Sequence, residues 1–183
     1  MKRACQIFTP ENSTRAFTCE GTVFVGCLSK SIDVYTGSTL VKFKRFTTES
    51  HPNCFCQLGP NHILVGMFGG RLACIDSKTM RITDLGLVGE GITKIEHITK
   101  VHAKKIAIAT SHGVLMAKFE VSPHTGIVDL EVCKTNGRFL GDLHVLFVDE
   151  FERGKLFCVI QDSGTALIVD RLTKDPSKVE ERI

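Results

Sequence analysis

The sequence predicts an all-β protein built from four repeats of a four-stranded antiparallel meander. Related segments recur at intervals of about forty residues, which is the spacing of repeat proteins with one supersecondary unit per repeat. The apolar runs are short, rich in Val, Ile and Phe, and bounded by Gly, Ser, Asn and Asp, as strands and their turns are. No segment sustains an apolar period of 3.6 residues, so helices are not expected.

The recurrence is clearest in the two middle strands of each unit. The predicted second strands are residues 23–26, 64–66, 106–109 and 156–159. The predicted third strands lie within residues 32–35, 72–75, 113–117 and 164–170. The turns between them, at 28–30, 68–70, 111–113 and 161–164, are short, and three of the four contain Gly, which supplies the positive φ that hairpin turns need.

The outer elements of each unit follow from the same pattern. First strands are predicted at residues 15–19, 53–58, 93–98 and 144–149, and fourth strands at 40–46, 81–87 and 128–134. The last unit shows no fourth strand, because the chain turns polar after Asp170. A spare strand is predicted at the other end, at residues 4–8.

In period, strand count and turn placement this pattern resembles the WD40-type β-propeller repeat, and the resemblance covers nearly the whole chain. The chain has no Trp and no Gly-His dipeptide, and the nearest equivalents of the Trp-Asp ending are Val34-Tyr35, Ile75-Asp76 and Val169-Asp170. The resemblance implies a partial propeller of about four blades. The domain is expected to span residues 1–173, with blades at 15–46, 53–87, 93–134 and 144–173, and residues 174–183 to form a polar tail.

Composition indicates which partners and which cellular compartment to expect. The net charge is +3, hydrophobic residues make up 43% and the basic residues are scattered, which argues against a nucleic-acid partner. The N-terminus lacks the apolar stretch of a signal peptide, and no run approaches the roughly 18 apolar residues of a membrane span. A soluble, cytoplasmic protein without membrane partners is therefore expected.

The chain has 8 cysteines and no Cys-x-x-Cys pair. Cys54 and Cys56 are two residues apart in a predicted strand and share a face, but a zinc site needs further ligands at defined spacing. Buried thiols in a reducing compartment are the favoured interpretation, with no disulfide and no bound metal.

Catalytic motifs are missing from the sequence. There is no Gly-x-Ser-x-Gly elbow and no P-loop, and the Gly-rich segment 86–91 lacks the strand-turn-helix context of a phosphate site. The 7 histidines are spread along the chain and are expected in loops or on the surface. The protein is therefore expected to be no enzyme and to need no cofactor.

The resemblance implies a protein-interaction scaffold that binds through loops at one face of the propeller. By position it nominates the turn residues Lys30, Arg71, His112 and Asp162 and the interblade residues Glu49, His51, Glu90 and Arg138. Two alternatives remain open: an enzyme or small-molecule site at the propeller channel, and a nucleic-acid binder. Four blades form an open arc, which a second copy or another propeller chain is expected to complete.

Overall fold

The computed structural model describes residues 12–37, 40–122, 128–132, 138–141, 143–170 and 180–181. All regular elements in these ranges are β-strands, which confirms the predicted all-β class. The strands form four antiparallel sheets that follow one another along the chain, so that each predicted unit is one sheet.

The first sheet consists of β1 (Ser13–Cys19), β2 (Thr22–Cys27), β3 (Ser31–Thr36) and β4 (Val41–Thr47). The second consists of β5 (Pro52–Gln57), β6 (His62–Met67), β7 (Arg71–Asp76) and β8 (Arg81–Leu87). The third consists of β9 (Ile95–His102), β10 (Lys105–Thr110), β11 (Gly113–Val121) and β12 (Val128–Val132), with β13 (Arg138–Phe139) added beside β11. The fourth consists of β14 (Val145–Glu152), β15 (Lys155–Ile160), β16 (Ala166–Asp170) and β17 (Glu180–Glu181). We call these sheets blades 1 to 4.

Blade 4 differs from the prediction at its outer edge. It has a fourth strand after all: the two residues of β17 pair with β16. This strand falls in the segment predicted to be a polar tail, where two consecutive Glu residues carry none of the apolar alternation that marks a strand. The predicted strand at residues 4–8 lies outside the described residues.

The core is divided among the spaces between successive blades. One cluster of buried apolar residues joins blades 1 and 2, a second joins blades 2 and 3, and a third joins blades 3 and 4. Middle strands that lie between two described blades bury both of their faces, as β6 and β10 do along nearly their whole length. We call the face of a blade that looks toward the next blade in the chain its forward face, and the opposite one its backward face.

The first strands of the four blades lie together at the centre of the arc. β5 packs against both β1 and β9, and β9 packs against β14. Each of these innermost strands carries a β-bulge at the same place, where the register against its neighbour shifts by one residue. The extra residues are Thr14, Asn53, Glu96 and Leu146. Because a bulge redirects the side chain at that point, these four residues leave the regular alternation of their strands.

Candidate functional site

The predicted binding loops meet at one end of the blades. At this end the links between blades bond to the turns between second and third strands: Thr48 N–H donates to Lys30 O at 2.9 Å, and Phe68 N–H to His51 O at 3.0 Å. The same contact recurs at the other blade junctions, between Gly69 and Thr93 and between Gln161 and His144. These bonds join the two classes of loop into one surface, which we call the loop surface.

Four of the nominated residues have exposed side chains on this surface. They are Lys30, Glu49, Glu90 and Asp162. Lys30 stands in the turn between β2 and β3 with φ of 57°, a conformation that a tight hairpin imposes and that few non-glycine residues adopt. Together the four side chains present both signs of charge to solvent.

His51 and Arg71 are half-buried on the same surface. The His51 ring packs edge-on against Phe68, with the ring centroids 5.8 Å apart. Arg71 forms an ion pair with Asp84 through one terminal guanidinium nitrogen. Among the described residues, His51 Nδ1 and Arg71 Nε are inaccessible and have no hydrogen-bond partner. Buried polar atoms are normally bonded to protein or water.

His112 and Arg138, the last two nominated residues, do not lie in freely exposed loops. His112 Nδ1 lies 3.0 Å from Ser111 Oγ, and the His112 N–H donates to Thr110 Oγ1 at 3.0 Å, so this turn is held by its own side chains. Arg138 was expected in the link between blades 3 and 4, but it lies in β13, opposite Leu115 of β11. Its backbone is therefore part of the third sheet.

A buried polar network lies just behind the loop surface, where blades 2, 3 and 4 meet. Glu96 Oε2 accepts hydrogen bonds from Lys94 Nζ at 2.9 Å and Asn53 Nδ2 at 3.2 Å, and Glu96 Oε1 lies 2.8 Å from His144 Nε2. Burial raises the pKa of the Glu96 carboxyl, but hydrogen bonds from Lys94, His144 and Asn53 outweigh it, so the pKa lies below its ordinary value. The network therefore holds a carboxylate between three blades.

The bulge residues form the rest of this network. Thr14 Oγ1 donates to Pro52 O at 2.5 Å, and Asn53 Nδ2 donates to Ile95 O at 2.8 Å. In both cases the bulge side chain of one blade reaches the carbonyl just before the bulge of the next. Sequence reasoning missed these contacts, although alignment of the four first strands places Thr14, Asn53, Glu96 and Leu146 at one repeat position.

A cleft of about 440 Å³ lies where the four innermost strands converge. Its lining comes from all four blades: Arg15, Ala16, Phe17, Cys54, Phe55, Glu96, His97, Leu146 and Phe147. Burial lowers the pKa of His97, against an opposing hydrogen bond between its Nδ1 and Val148 O, 3.0 Å away. Burial also raises the pKa of the Cys54 thiol, and Glu96 has both oxygens engaged. The Cys54 thiol is therefore protonated at neutral pH.

The described cysteines are all buried thiols: Cys19, Cys27, Cys54, Cys56, Cys74 and Cys158. Burial raises the pKa of Cys56 to about 11 and that of Cys158 to about 12, so both are protonated at neutral pH. Cys54 and Cys56 pack in the same apolar cluster between blades 2 and 3. Within the described ranges, no three His, Cys, Asp or Glu side chains are grouped as metal ligands would be. The same ranges contain no helix that could span a membrane.

Comparison with known proteins identifies the fold. No family model and no curated protein matches the chain. Among solved structures, the RRP9 WD40 repeats superpose with a TM-score of 0.65 at 10% identity, over 96% of this chain and 52% of that one. The β-propeller domain of Cps50 (Swd1) from Myceliophteria thermophila superposes with a TM-score of 0.67 at 9% identity, over 96% and 57%.

A third solved structure matches along its whole length. The computationally designed Ika4 protein superposes with a TM-score of 0.64 at 14% identity, over 93% of this chain and 99% of that one. The four sheets thus have the fold of WD40-type β-propeller blades, as the sequence pattern predicted. The chain spans about half the length of the RRP9 and Swd1 propellers that it matches.

Proposed function

We propose that this chain is a non-enzymatic protein-interaction scaffold that binds its partners through the loop surface. The proposal rests on the hydrogen bonds between the interblade links and the turns that join the second and third strands of each blade. These bonds unite loops from successive blades into one surface. Loops held by a rigid sheet scaffold are where binding residues concentrate in proteins of this architecture.

The chemistry of the loop surface suits a protein partner. Exposed Lys30 stands among exposed Glu49, Glu90 and Asp162, so the surface mixes both charges. A nucleic-acid site would need a contiguous basic face instead. Half-buried His51 packs against the Phe68 ring and half-buried Arg71 lies on the same surface, and Arg and aromatic side chains are enriched at the centres of protein interfaces.

The partners we propose are other proteins, in a cytoplasmic, reducing compartment in which the buried thiols stay reduced. Among these partners we include a second copy or another propeller chain that completes the ring. The engaged state of Glu96 and the protonated Cys54 in the central cleft favour this scaffold over an enzyme with a site in the channel.

The test compares charge reversals at the two ends of the blades. A chain carrying Lys30→Glu and Asp162→Lys should lose proteins that copurify with the natural chain, measured by quantitative mass spectrometry of affinity-purified complexes. Its melting temperature should barely change, because exposed substitutions of this kind alter stability by less than about 0.5 kcal/mol.

The matched control carries Lys78→Glu and Lys105→Glu, two exposed residues in or beside the turns at the opposite end of the blades. This control should retain the partners. If the loop variant keeps its partners while Phe43→Lys on the exposed outer strand β4 loses them, the loop surface is not the binding site.

A further inference from the structure

The residue that follows the bulge lines the central cleft in every blade. These residues are Arg15, Cys54, His97 and Phe147, which pair with Gly26, Gly66, Ala109 and Val159 of the second strands. One repeat position therefore supplies a guanidinium, a thiol, an imidazole and a phenyl ring to a single space of about 440 Å³. Small-molecule sites in proteins have volumes of roughly 300–1,000 Å³, so the cleft is large enough to hold one.

Arg15 brings a positive charge to this cleft. Burial raises the pKa of the Cys54 thiol and lowers the pKa of His97, and in both cases the charge of Arg15 adds a smaller downward contribution. The guanidinium therefore lies near both side chains. Arg15 is exposed, and no described carboxylate forms an ion pair with it. Its charge is consequently available to an anion that enters the cleft.

The carboxylate in the same lining does not compete for Arg15. Glu96 is buried, with Oε2 2.9 Å from Lys94 Nζ and Oε1 2.8 Å from His144 Nε2. Among the residues that line the cleft, Arg15 is thus the cation that remains available, and it matches a ligand with one negative charge. A carboxylate suits it, because two carboxylate oxygens accept the parallel hydrogen bonds of a planar guanidinium.

Aromatic rings form much of the remaining lining. Phe17 and Phe55 stack with their ring centroids 6.0 Å apart, and the His97 ring lies 4.4 Å from the ring of Phe147. Burial lowers the pKa of His97, whose Nδ1 lies 3.0 Å from Val148 O, so the imidazole is neutral at pH 7. These uncharged rings favour a ligand with a flat apolar body, which packs against them.

We propose that the central cleft binds a small organic carboxylate with a flat apolar body. Its carboxylate pairs with Arg15, and its body packs against the rings of Phe17, Phe55 and Phe147. The cleft and the ligand are complementary in charge, because the ligand supplies the counter-ion that Arg15 lacks among the described residues. This binding site is separate from the loop surface and does not depend on the function proposed for that surface.

The first experiment measures binding of two probes to the full chain by NMR titration of its backbone amides. The probes are 2-naphthoate and its uncharged analogue 2-naphthamide. The natural chain should bind naphthoate at least tenfold more tightly than naphthamide, because only naphthoate can pair with the guanidinium. Arg15→Gln should weaken naphthoate binding at least tenfold, leave naphthamide binding unchanged and keep the melting temperature.

Arg153→Gln is the matched control, because Arg153 is an exposed arginine in the turn between β14 and β15, at the other end of the blades. It should bind both probes as the natural chain does. Absence of saturable naphthoate binding, or equal naphthoate affinity of the natural and Arg15→Gln chains, would overturn the proposal. Should Arg15→Gln fail to fold, Arg15→Lys replaces it: this variant keeps the charge but loses the planar fork, and should still weaken naphthoate binding.

The second experiment tests the location of the site and the source of the carboxylate. Ala16 is exposed and lines the cleft, so Ala16→Phe should fill the space and weaken binding of both probes. Undiminished binding would place the probes elsewhere and refute the site. The peptide N-acetyl-Gly-Phe, which carries a free carboxylate and a ring, should bind less tightly than naphthoate. Tighter binding of the peptide would instead assign the cleft to the C-terminus of a partner protein.

A third measurement separates this inference from the proposed function. Arg15→Gln should retain the copurifying proteins that the variant carrying Lys30→Glu and Asp162→Lys loses, because the cleft and the loop surface bind different molecules. Loss of those proteins from Arg15→Gln would show that Arg15 belongs to the protein-binding site and would overturn the small-molecule site. If the loop variant keeps its partners while Arg15→Gln loses naphthoate, the loop-surface function fails and the cleft site stands.

Discussion

Blades 1 to 3 and blade 4 have the same strand order, but they use their forward faces differently. In the first three blades the face is shaped for a close neighbour: small residues at Gly26, Gly66 and Ala109 admit the next sheet, and polar bulge residues bond to it. In blade 4 the corresponding residues are Val159 and Leu146, which neither admit nor bond to a sheet in that geometry. The contrast shows that the junctions between repeats are specified by very few positions.

A larger side chain at the position of Gly66 should have the largest effect on stability. Gly66→Val places a side chain 2.5 Å from Cys54 Sγ, and we expect it to lower the free energy of unfolding by about 3 kcal/mol, as overpacked cores do. Removing a glycine restricts the unfolded chain, but that gain is only about 0.4–1 kcal/mol. Urea unfolding measures the difference.

The control for this prediction is Gly59→Val. Gly59 has no positive φ, and a Cβ there meets nothing within 4 Å. Equal losses at Gly59 and Gly66 would show that glycine flexibility, rather than contact between blades 2 and 3, accounts for the effect.

Replacing the buried carboxylate should have the next largest effect. Glu96→Leu gives blade 3 the bulge residue of blade 4 and removes the acceptor shared by Lys94, Asn53 and His144, although Asn53 keeps its bond to Ile95 O. We expect a loss of about 2–3 kcal/mol in the free energy of unfolding, because a buried carboxylate and its hydrogen bonds between three blades are lost. Glu120→Leu, at an exposed ion pair with Lys104, is the control and should leave urea unfolding nearly unchanged. Equal stability of the Glu96 and Glu120 variants would contradict a structural role for the network.

Acidification should remove the stabilisation that the Glu96 carboxylate provides. Because the pKa of Glu96 is lower in the folded chain than its ordinary value of 4.5, ionised Glu96 stabilises the fold above that pH. This contribution is lost as the pH falls through the lowered pKa. The stability difference between the natural chain and Glu96→Gln should therefore be constant near neutral pH and shrink below about pH 4.5. A difference that grows on acidification would refute the lowered pKa.

The smallest effect is expected at the first bulge. Thr14→Val keeps the shape of the side chain but removes the hydrogen bond to Pro52 O, and we expect a loss of about 1 kcal/mol. The reverse change in blade 4, Leu146→Thr, gives Thr no carbonyl of a following blade among the described residues and should not stabilise the chain. Thermal unfolding of the two variants side by side would sharpen the contrast between the blades.

The fold was predictable from the sequence because each strand is short, apolar and bounded by turn residues. Segments such as 64–66 and 106–109 repeat with enough regularity to fix the strand order and the hairpin turns. The outer strand of blade 4 was not predictable, since Glu180 and Glu181 have no apolar alternation. Their pairing with β16 depends on a neighbouring sheet edge, which a local pattern does not contain.

The candidate site was predictable only in outline. Repeat position alone nominated the loop residues, and the hydrogen bonds from Thr48 to Lys30 and from Phe68 to His51 show that those loops adjoin. Their role in binding stays a prediction. Glu96 and His144 were missed because they are 48 residues apart and meet through a bulge, whose location depends on strand register rather than on composition.

The bulge residues also make the order of the blades part of the sequence. Thr14 donates to a backbone carbonyl, which any blade can offer, but Glu96 is bonded by side chains: Asn53 of blade 2 and His144 at the start of blade 4. The residue at the repeat position of His144 differs between blades, with Asn12 in blade 1, His51 in blade 2 and Lys94 in blade 3. Repeats this similar in shape are prone to pairing out of turn during folding, and a bond between two side chains, unlike one to a carbonyl, depends on which blade follows.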